Sequence, residues 1–126
     1  MSDSTLPLLL LDNGSMMNVL NEGEFKVTNM TLEETKALIN MFDKHEIWLC
    51  FTNGDITNMM FDYLGIKNTN FTYKQVQNMN VGQDGVVFKL YVTPSETQPI
   101  IKDDDGIEAK KIQNIYIYCQ VISRVK

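Results

Sequence analysis

Apolar side chains follow three patterns along the chain: continuous runs, alternation with polar residues, and the three-to-four-residue spacing of a helix. Residues 6–11 and 47–51 are continuous apolar runs, typical of strands buried on both faces, and we expect the first to lie centrally in a sheet. Residues 24–28 alternate polar and apolar side chains, which indicates a strand with one solvated face. Residues 115–122 are rich in β-branched and aromatic residues and predict the final strand.

Two helices are predicted from capping signals and apolar spacing. Thr31 and Glu34 have the spacing of a capping box, in which each side chain binds the other's backbone amide, and a helix over residues 32–41 follows. Apolar residues at helical spacing indicate the second helix: Ile56, Met59, Met60, Tyr63 and Leu64. Gly65 stands where the C-terminal cap of that helix is wanted. Residues 16–20 predict one short turn of helix.

The remaining segments complete the predicted fold. Residues 71–76 and 86–92 predict two further strands, joined as a hairpin by the turn at residues 81–85. Residues 93–106 hold two prolines and three consecutive aspartates and predict the longest loop, while residues 1–5 predict a flexible N-terminus. The sequence therefore predicts one domain over residues 1–126 of mixed α/β class. We expect a single small sheet of about five strands with two main helices packed on one side.

Charge and cysteine content narrow the possible functions. The 126 residues carry a formal net charge of −5, and Arg124 is the single arginine. A nucleic-acid polymer is normally bound by a basic face, so DNA or long RNA is not an expected partner. Cys50 and Cys119 lie within apolar runs, as buried thiols do in a reducing compartment. The apolar run at residues 6–11 is too short to span a membrane, so we expect a cytoplasmic protein without a membrane partner.

Three groups of reactive side chains have ordinary explanations. His45, the single histidine, lies between a helix and a strand, and no nucleophile stands at a recognisable spacing from it. Residues 103–105 are three contiguous aspartates, followed by Glu108, and lack the alternating ligands of a calcium loop. Glu33 and Glu34 are adjacent on a helix, so their carboxylates diverge. We therefore expect no catalytic residue, no metal site and no cofactor.

Small polar residues follow two of the predicted buried strands. Asn13, Gly14 and Ser15 come after the first strand, and residues 52–55, with the sequence Thr-Asn-Gly-Asp, come after the second and open a helix. Ligands bind at such strand ends in α/β sheets, where backbone amides and small polar side chains gather. From the local sequence alone, turn and cap chemistry explains the same residues more simply.

The order of these segments carries a family resemblance. The opening strand and turn are LLDNGSMMN (residues 10–18), the second strand and first helix contain GEF (23–25) and LEETKALI (32–39), and a later turn and strand are VGQDGVVFKL (81–90). In this order they resemble the viral ring nucleases, small anti-CRISPR proteins that cleave, as dimers, the cyclic tetra-adenylate messenger of type III CRISPR immunity. The resemblance runs from about residue 8 to about residue 92 and implies an α/β fold and a homodimer or higher homo-oligomer.

The chain departs from that family at the residues that matter for cleavage. When the preceding glycines are aligned, Asp55 replaces the family's catalytic histidine. Phe71 and Thr93 stand where the family has two arginines, and Asn13 and Ser15 are one residue closer together than their counterparts. Without the histidine the residue credited with cleavage is gone, and without the arginines the charge that would hold the phosphates is gone. Cleavage of cyclic tetra-adenylate is therefore not carried over to this chain.

These observations predict a viral immune-evasion protein in the host cytoplasm. It would bind and sequester a nucleotide-derived host defence signal of the cyclic-nucleotide type without cleaving it. The predicted ligand-binding residues are Asn13, Ser15, Asn53, Gly54 and Asp55, with Lys89 as a phosphate contact. Two alternatives stay open: an inhibitor that masks a host defence protein through its acidic surface, and a residual ring nuclease that uses His45 or Asp55.

Overall fold

The computed structural model describes residues 6–51, 54–65, 71–91, 98–102, 108–112 and 115–126, which form a sheet with helices on both faces. The helices are α1 (Asn13–Val19), α2 (Leu32–Asn40) and α3 (Gly54–Leu64), and Lys44–Glu46 forms a 3₁₀ turn. The strands are β1 (Leu8–Leu11), β2 (Phe25–Met30), β3 (Ile47–Leu49), β4 (Thr72–Tyr73), β5 (Asp84–Tyr91), β6 (Ile100–Lys102), β7 (Glu108–Ile112) and β8 (Ile115–Arg124).

The sheet combines a parallel half with an antiparallel half. Its strand order is β4-β3-β1-β5-β8-β7-β6, and β2 also pairs with β8. Strand β1 is parallel to β3 and β5, and β3 is parallel to β4, whereas β8 is antiparallel to β5, β7 and β2. Because β5 occupies one side of β8, strands β7 and β2 follow one another along its other side.

Strand β1 lies at the centre, and its alternating side chains divide the core into two layers. All four of its leucines are 0% exposed, which confirms the expected central strand. Leu8 and Leu10 pack with residues of α2 and α3, and we call this side the α2–α3 face. Leu9 and Leu11 pack with residues of α1, and we call the opposite side the α1 face. The two main helices thus share one side, as predicted, and the short helix α1 covers the other.

Local capping fixes the start of α2 and the end of α3. The Thr31 hydroxyl accepts the backbone N–H of Glu34 at 3.1 Å, and the Glu34 carboxylate accepts that of Thr31 at 2.9 Å, which confirms the predicted capping box. Helix α3 ends at Leu64, and Gly65 follows with φ +69°, a conformation that favours glycine. Among the described helices, none combines the length and the apolar content that crossing a membrane requires.

The predicted hairpin between residues 71–76 and 86–92 is wrong. Strand β4 has only two residues and pairs with β3, whereas β5 pairs with β1 and β8. Val86 and Val87 are fully buried on opposite faces, so β5 needs cover on both sides, which only an interior position supplies. The Gln83 side chain fixes that position, because it donates to the carbonyl of Pro7 just before β1 and accepts the N–H of Asn80.

The expected five strands are too few, since the described residues alone form a sheet of eight. Strand β6 falls within the segment predicted as a loop, and β7 follows it with the sequence Glu-Ala-Lys-Lys-Ile. In β7, Ala109 is buried, and charged side chains occupy three of the five positions. Neither strand therefore has the clear alternation that identifies a half-buried strand from sequence.

Candidate functional site

The chain leaves the neighbouring strands β1 and β3 toward opposite faces of the sheet. After β1 it enters α1 on the α1 face, and after β3 it enters α3 on the α2–α3 face. Because β1 and β3 are parallel and adjacent, their carboxyl ends meet at one edge of the sheet. A crevice forms where the connections diverge in this way, and such crevices are the usual ligand sites of open α/β sheets.

A cleft of about 320 Å³ lies at this crevice, and we call it the switch-point cleft. Three segments line it: the start of α1, the end of β3 and the residues around the end of β4. The lining residues are Asp12, Gly14, Ser15, Asn18, Cys50, Phe51, Tyr73, Gln75 and Val76. Strand β4 contributes the outer wall because it extends the parallel pairing beyond β3. The volume lies near the lower end of the range of roughly 300–1,000 Å³ for small-molecule sites.

Asp12 and Ser15 form a closed hydrogen-bonded pair at the base of α1. Asp12 Oδ1 accepts the backbone N–H and the hydroxyl of Ser15, both at 2.8 Å, and Ser15 Oγ accepts the backbone N–H of Asp12 at 2.9 Å. Ser15 is only 9% exposed, so its hydroxyl serves the helix cap. The second carboxylate oxygen, Asp12 Oδ2, accepts no hydrogen bond from any described residue.

Cys50 brings a thiol to the cleft, and its surroundings keep that thiol protonated. Burial raises the pKa of Cys50 from its ordinary value of 9.0 to about 12, and the negative charge of Asp12 adds to the rise. The thiol points to the carbonyl oxygen of Trp48 at 3.7 Å. Since the thiolate is the reactive form, this thiol is a weaker nucleophile near neutral pH than an ordinary cysteine.

The outer wall supplies aromatic and amide groups and no free positive charge. Tyr73 is 51% exposed, and Gln75 is exposed beside it. Lys74 lies between them in sequence, but its ammonium sits 4.6 Å from the centre of the Trp48 ring, a cation–π contact. The lining residues in the described part of the chain include neither lysine nor arginine, so Asp12 is the charged group of the cleft.

The structure brings part of the predicted site to this edge. Ser15 lines the cleft, and Asn13, the first residue of α1, is exposed next to it. Gly54 and Asp55 are the exposed first two residues of α3, which begins at the same edge of the sheet. Asn53 lies outside the described residues.

Most of the lining residues carry no signal in the sequence that marks them as part of a site, among them Asn18, Tyr73 and Gln75. Asp12 does have a recognisable signal, because it is an N-cap residue before a short helix. Lys89 lies on β5, and strand alternation places it on the α1 face with Val87, but it does not line the switch-point cleft. The expected phosphate contact is therefore outside the cleft.

His45 lies at the other end of β3. The 3₁₀ turn that contains it precedes β3, whereas the cleft follows that strand, and a three-residue strand spans roughly 10 Å. Possible ligand atoms of Asp43, His45 and Glu46 lie within 4.8 Å of one another. However, Glu46 Oε1 already accepts the backbone N–H of Asp43 at 3.2 Å, as in an ordinary surface turn.

The acidic segment considered for calcium is only partly described. The three aspartates at residues 103–105 lie outside the described residues. Glu108 is described, and its carboxylate binds the backbone of α2 and the ammonium of Lys102. Its position is thus explained by contacts within the fold.

Comparison with known proteins does not assign the chain to a family. No protein-family model matches it, and no characterised protein matches it either. The resemblance to the ring nucleases therefore rests on the sequence segments described above.

Proposed function

We propose that this protein binds a small nucleotide-derived molecule in the switch-point cleft and sequesters it without cleaving it. The observation that carries the proposal is the position of the cleft, at the carboxyl ends of two parallel strands whose connections diverge. The lining combines an exposed tyrosine ring with amide and carboxylate groups, which suits stacking on a base and hydrogen bonding to its edges. The sequence resemblance supplies the class of ligand, a host defence signal of the cyclic-nucleotide type.

The chemical groups around the cleft favour binding of the ligand without cleavage. Ser15 holds its hydroxyl in the helix cap, and Cys50 is a protonated thiol. His45, the single histidine, is at the opposite end of β3. Ser15 is thus occupied, Cys50 is protonated and His45 is distant, so these three groups supply neither a nucleophile nor a base to the cleft.

Binding and recovery of the ligand test this proposal together. The purified protein is titrated by calorimetry with cyclic dinucleotides, cyclic oligoadenylates and cyclic ADP-ribose isomers, then heat-denatured, and the released ligand is analysed by mass spectrometry. We expect one class to bind stoichiometrically and to be recovered intact. Absence of binding across the panel would refute the proposal, and recovery of linear products would favour the residual ring nuclease.

The proposal extends to assembly, because ring nucleases act as dimers. We expect a homodimer, which light scattering coupled to gel filtration measures directly. If the protein is a monomer and still binds the ligand, the expected homodimer is refuted, and the proposal of ligand binding in the cleft stands.

A further inference from the structure

The switch-point cleft carries a negative charge where nucleotide sites usually carry backbone donors or cations. Asp12 Oδ1 satisfies the Ser15 backbone N–H at 2.8 Å, so this amide is not available to an anion. Asp12 Oδ2 accepts no hydrogen bond from the described residues, and the described lining holds no lysine or arginine. A phosphate in the cleft would therefore face an uncompensated carboxylate.

We infer that the cleft seats the uncharged nucleoside part of the ligand, with Asp12 Oδ2 accepting hydrogen bonds from ribose hydroxyls or a base amino group, and leaves the phosphate outside. The inference rests on the proposed function. A carboxylate is a strong acceptor for hydroxyl and amino donors, and a charged partner makes such bonds about twice as strong as neutral ones. Asn18 and Gln75 add neutral amides that either donate or accept, and Tyr73 offers an exposed ring face.

The nearby lysines do not offset the charge of Asp12. Burial, and then the negative charge of Asp12, raise the pKa of Cys50, which also lines the cleft. Lys74 directs its ammonium to Trp48, and Lys89 does not line the cleft. Neither lysine therefore neutralises Asp12 from within the described lining.

The replacement Asp12→Asn separates charge from structure. Asparagine caps helices as well as aspartate does, and its Oδ1 keeps the bonds to Ser15. Its amide group then presents a donor where Oδ2 accepted. Asp62→Asn, at an exposed position on α3, is the matched control because it removes the same charge away from the cleft.

Calorimetry and amide NMR shifts are measured with four nucleosides, their 5′-monophosphates and pyrophosphate. In the wild type we expect a nucleoside and its monophosphate to bind with affinities within about threefold, and to shift the amides of Gly14 and Asn18. Asp12→Asn should weaken the nucleoside about tenfold, the loss of one charged hydrogen bond, and strengthen pyrophosphate, while Asp62→Asn changes neither.

Two outcomes distinguish the inference from the proposed function. If pyrophosphate alone shifts the cleft amides of the wild type, or if Asp12→Asn leaves nucleoside affinity unchanged, the inference is overturned while ligand binding stands. If neither these probes nor the cyclic nucleotides bind, the proposed function fails, and the inference fails with it.

Discussion

The carboxylate of Glu108 accepts a hydrogen bond from the backbone N–H of Leu32 at 3.0 Å, although the two residues are 76 positions apart. Leu32 is the first residue of α2, so a side chain from β7 supplies a helix cap beyond the local one at Thr31. The same carboxylate lies 3.2 Å from the ammonium of Lys102 on β6. Glu108 therefore links the helix layer to the far strands of the sheet.

Replacing Glu108 should destabilise the protein in two steps. Glu108→Gln removes the charge at the positive end of α2 and should lower the free energy of unfolding by about 0.5–1 kcal/mol. Glu108→Ala also removes the hydrogen bond and should cost about 1–2 kcal/mol. Urea denaturation monitored by circular dichroism measures both. Glu22→Gln, at an exposed position, is the charge-matched control, and an equal effect there would contradict the cap.

The buried thiols should make the fold less stable in alkali. Burial raises the pKa of both Cys50 and Cys119 from 9.0 to about 12. Below pH 9 the thiols are protonated in the folded and unfolded states, whereas between about pH 9 and 12 only the unfolded state releases the protons. Stability is therefore retained below this window and falls as pH rises through it, by up to about 1.4 kcal/mol per pH unit for each thiol.

The variant Cys119→Ala isolates one of these contributions. It should unfold more easily at pH 8 because a buried side chain is shortened, but its stability should decline less steeply above pH 9. Urea titrations at several pH values under reducing conditions give the slope. Burial and then the neighbouring Cys119 raise the pKa of Tyr63, so the variant also reduces the contribution of Tyr63 to the alkaline decline, in the same direction. Parallel slopes for the variant and the wild type would exclude the buried Cys119 thiol as a cause.

Two glycines should respond in opposite directions to alanine. Gly82 has φ +87°, where a Cβ is strained although it would contact no other described segment within 4 Å, so Gly82→Ala should destabilise by about 1–2 kcal/mol. Gly54 begins α3 without a positive φ, and a Cβ there would also contact no other described segment within 4 Å, so Gly54→Ala should stabilise by about 0.4–1 kcal/mol. Thermal melts rank the two variants. Gly54→Ala also tests the predicted ligand contact. If the ligand lies against the backbone of Gly54, the added methyl group should weaken ligand binding.

Gln83 should be sensitive to an apolar replacement. It is 2% exposed, donates to Pro7 O at 2.9 Å and accepts the N–H of Asn80 at 3.0 Å. Gln83→Leu leaves both partners without their side-chain bonds and should cost about 2–4 kcal/mol. Gln77→Leu, at an exposed position, should change stability by less than about 0.5 kcal/mol in the same urea assay.

Local signals in the sequence predicted the elements better than their pairing. Thr31 and Glu34 report a helix start because both partners are three residues apart, and the leucines of β1 report a central strand because every side chain is apolar. The predicted hairpin was wrong because strand pairing depends on elements that are distant in the sequence. Whether β5 pairs with its neighbour in sequence or with β1 depends on burial of Val86 and Val87 by distant elements.

The candidate site shows the same division. The divergence at the ends of β1 and β3 follows from buried strands and the helices after them, so Ser15 was predicted at this edge. Tyr73 and Gln75 reach it only because β4 pairs with β3, and two residues of strand give no period to detect. The charge of Lys89 carries no information about the face or depth at which the strand places it, and Lys89 does not line the cleft.

The outer wall of the cleft is also the least anchored part of the sheet that forms it. Strand β4 is an edge strand of two residues, and one further backbone bond, from Lys74 N–H to Leu49 O at 3.0 Å, continues its attachment. Segments tied by so few bonds open at the low end of a protein's range of local stabilities. A ligand held between Asp12 and Gln75 would bridge this wall to the rigid core, so occupancy of the cleft and hydrogen-exchange protection of β4 should rise together.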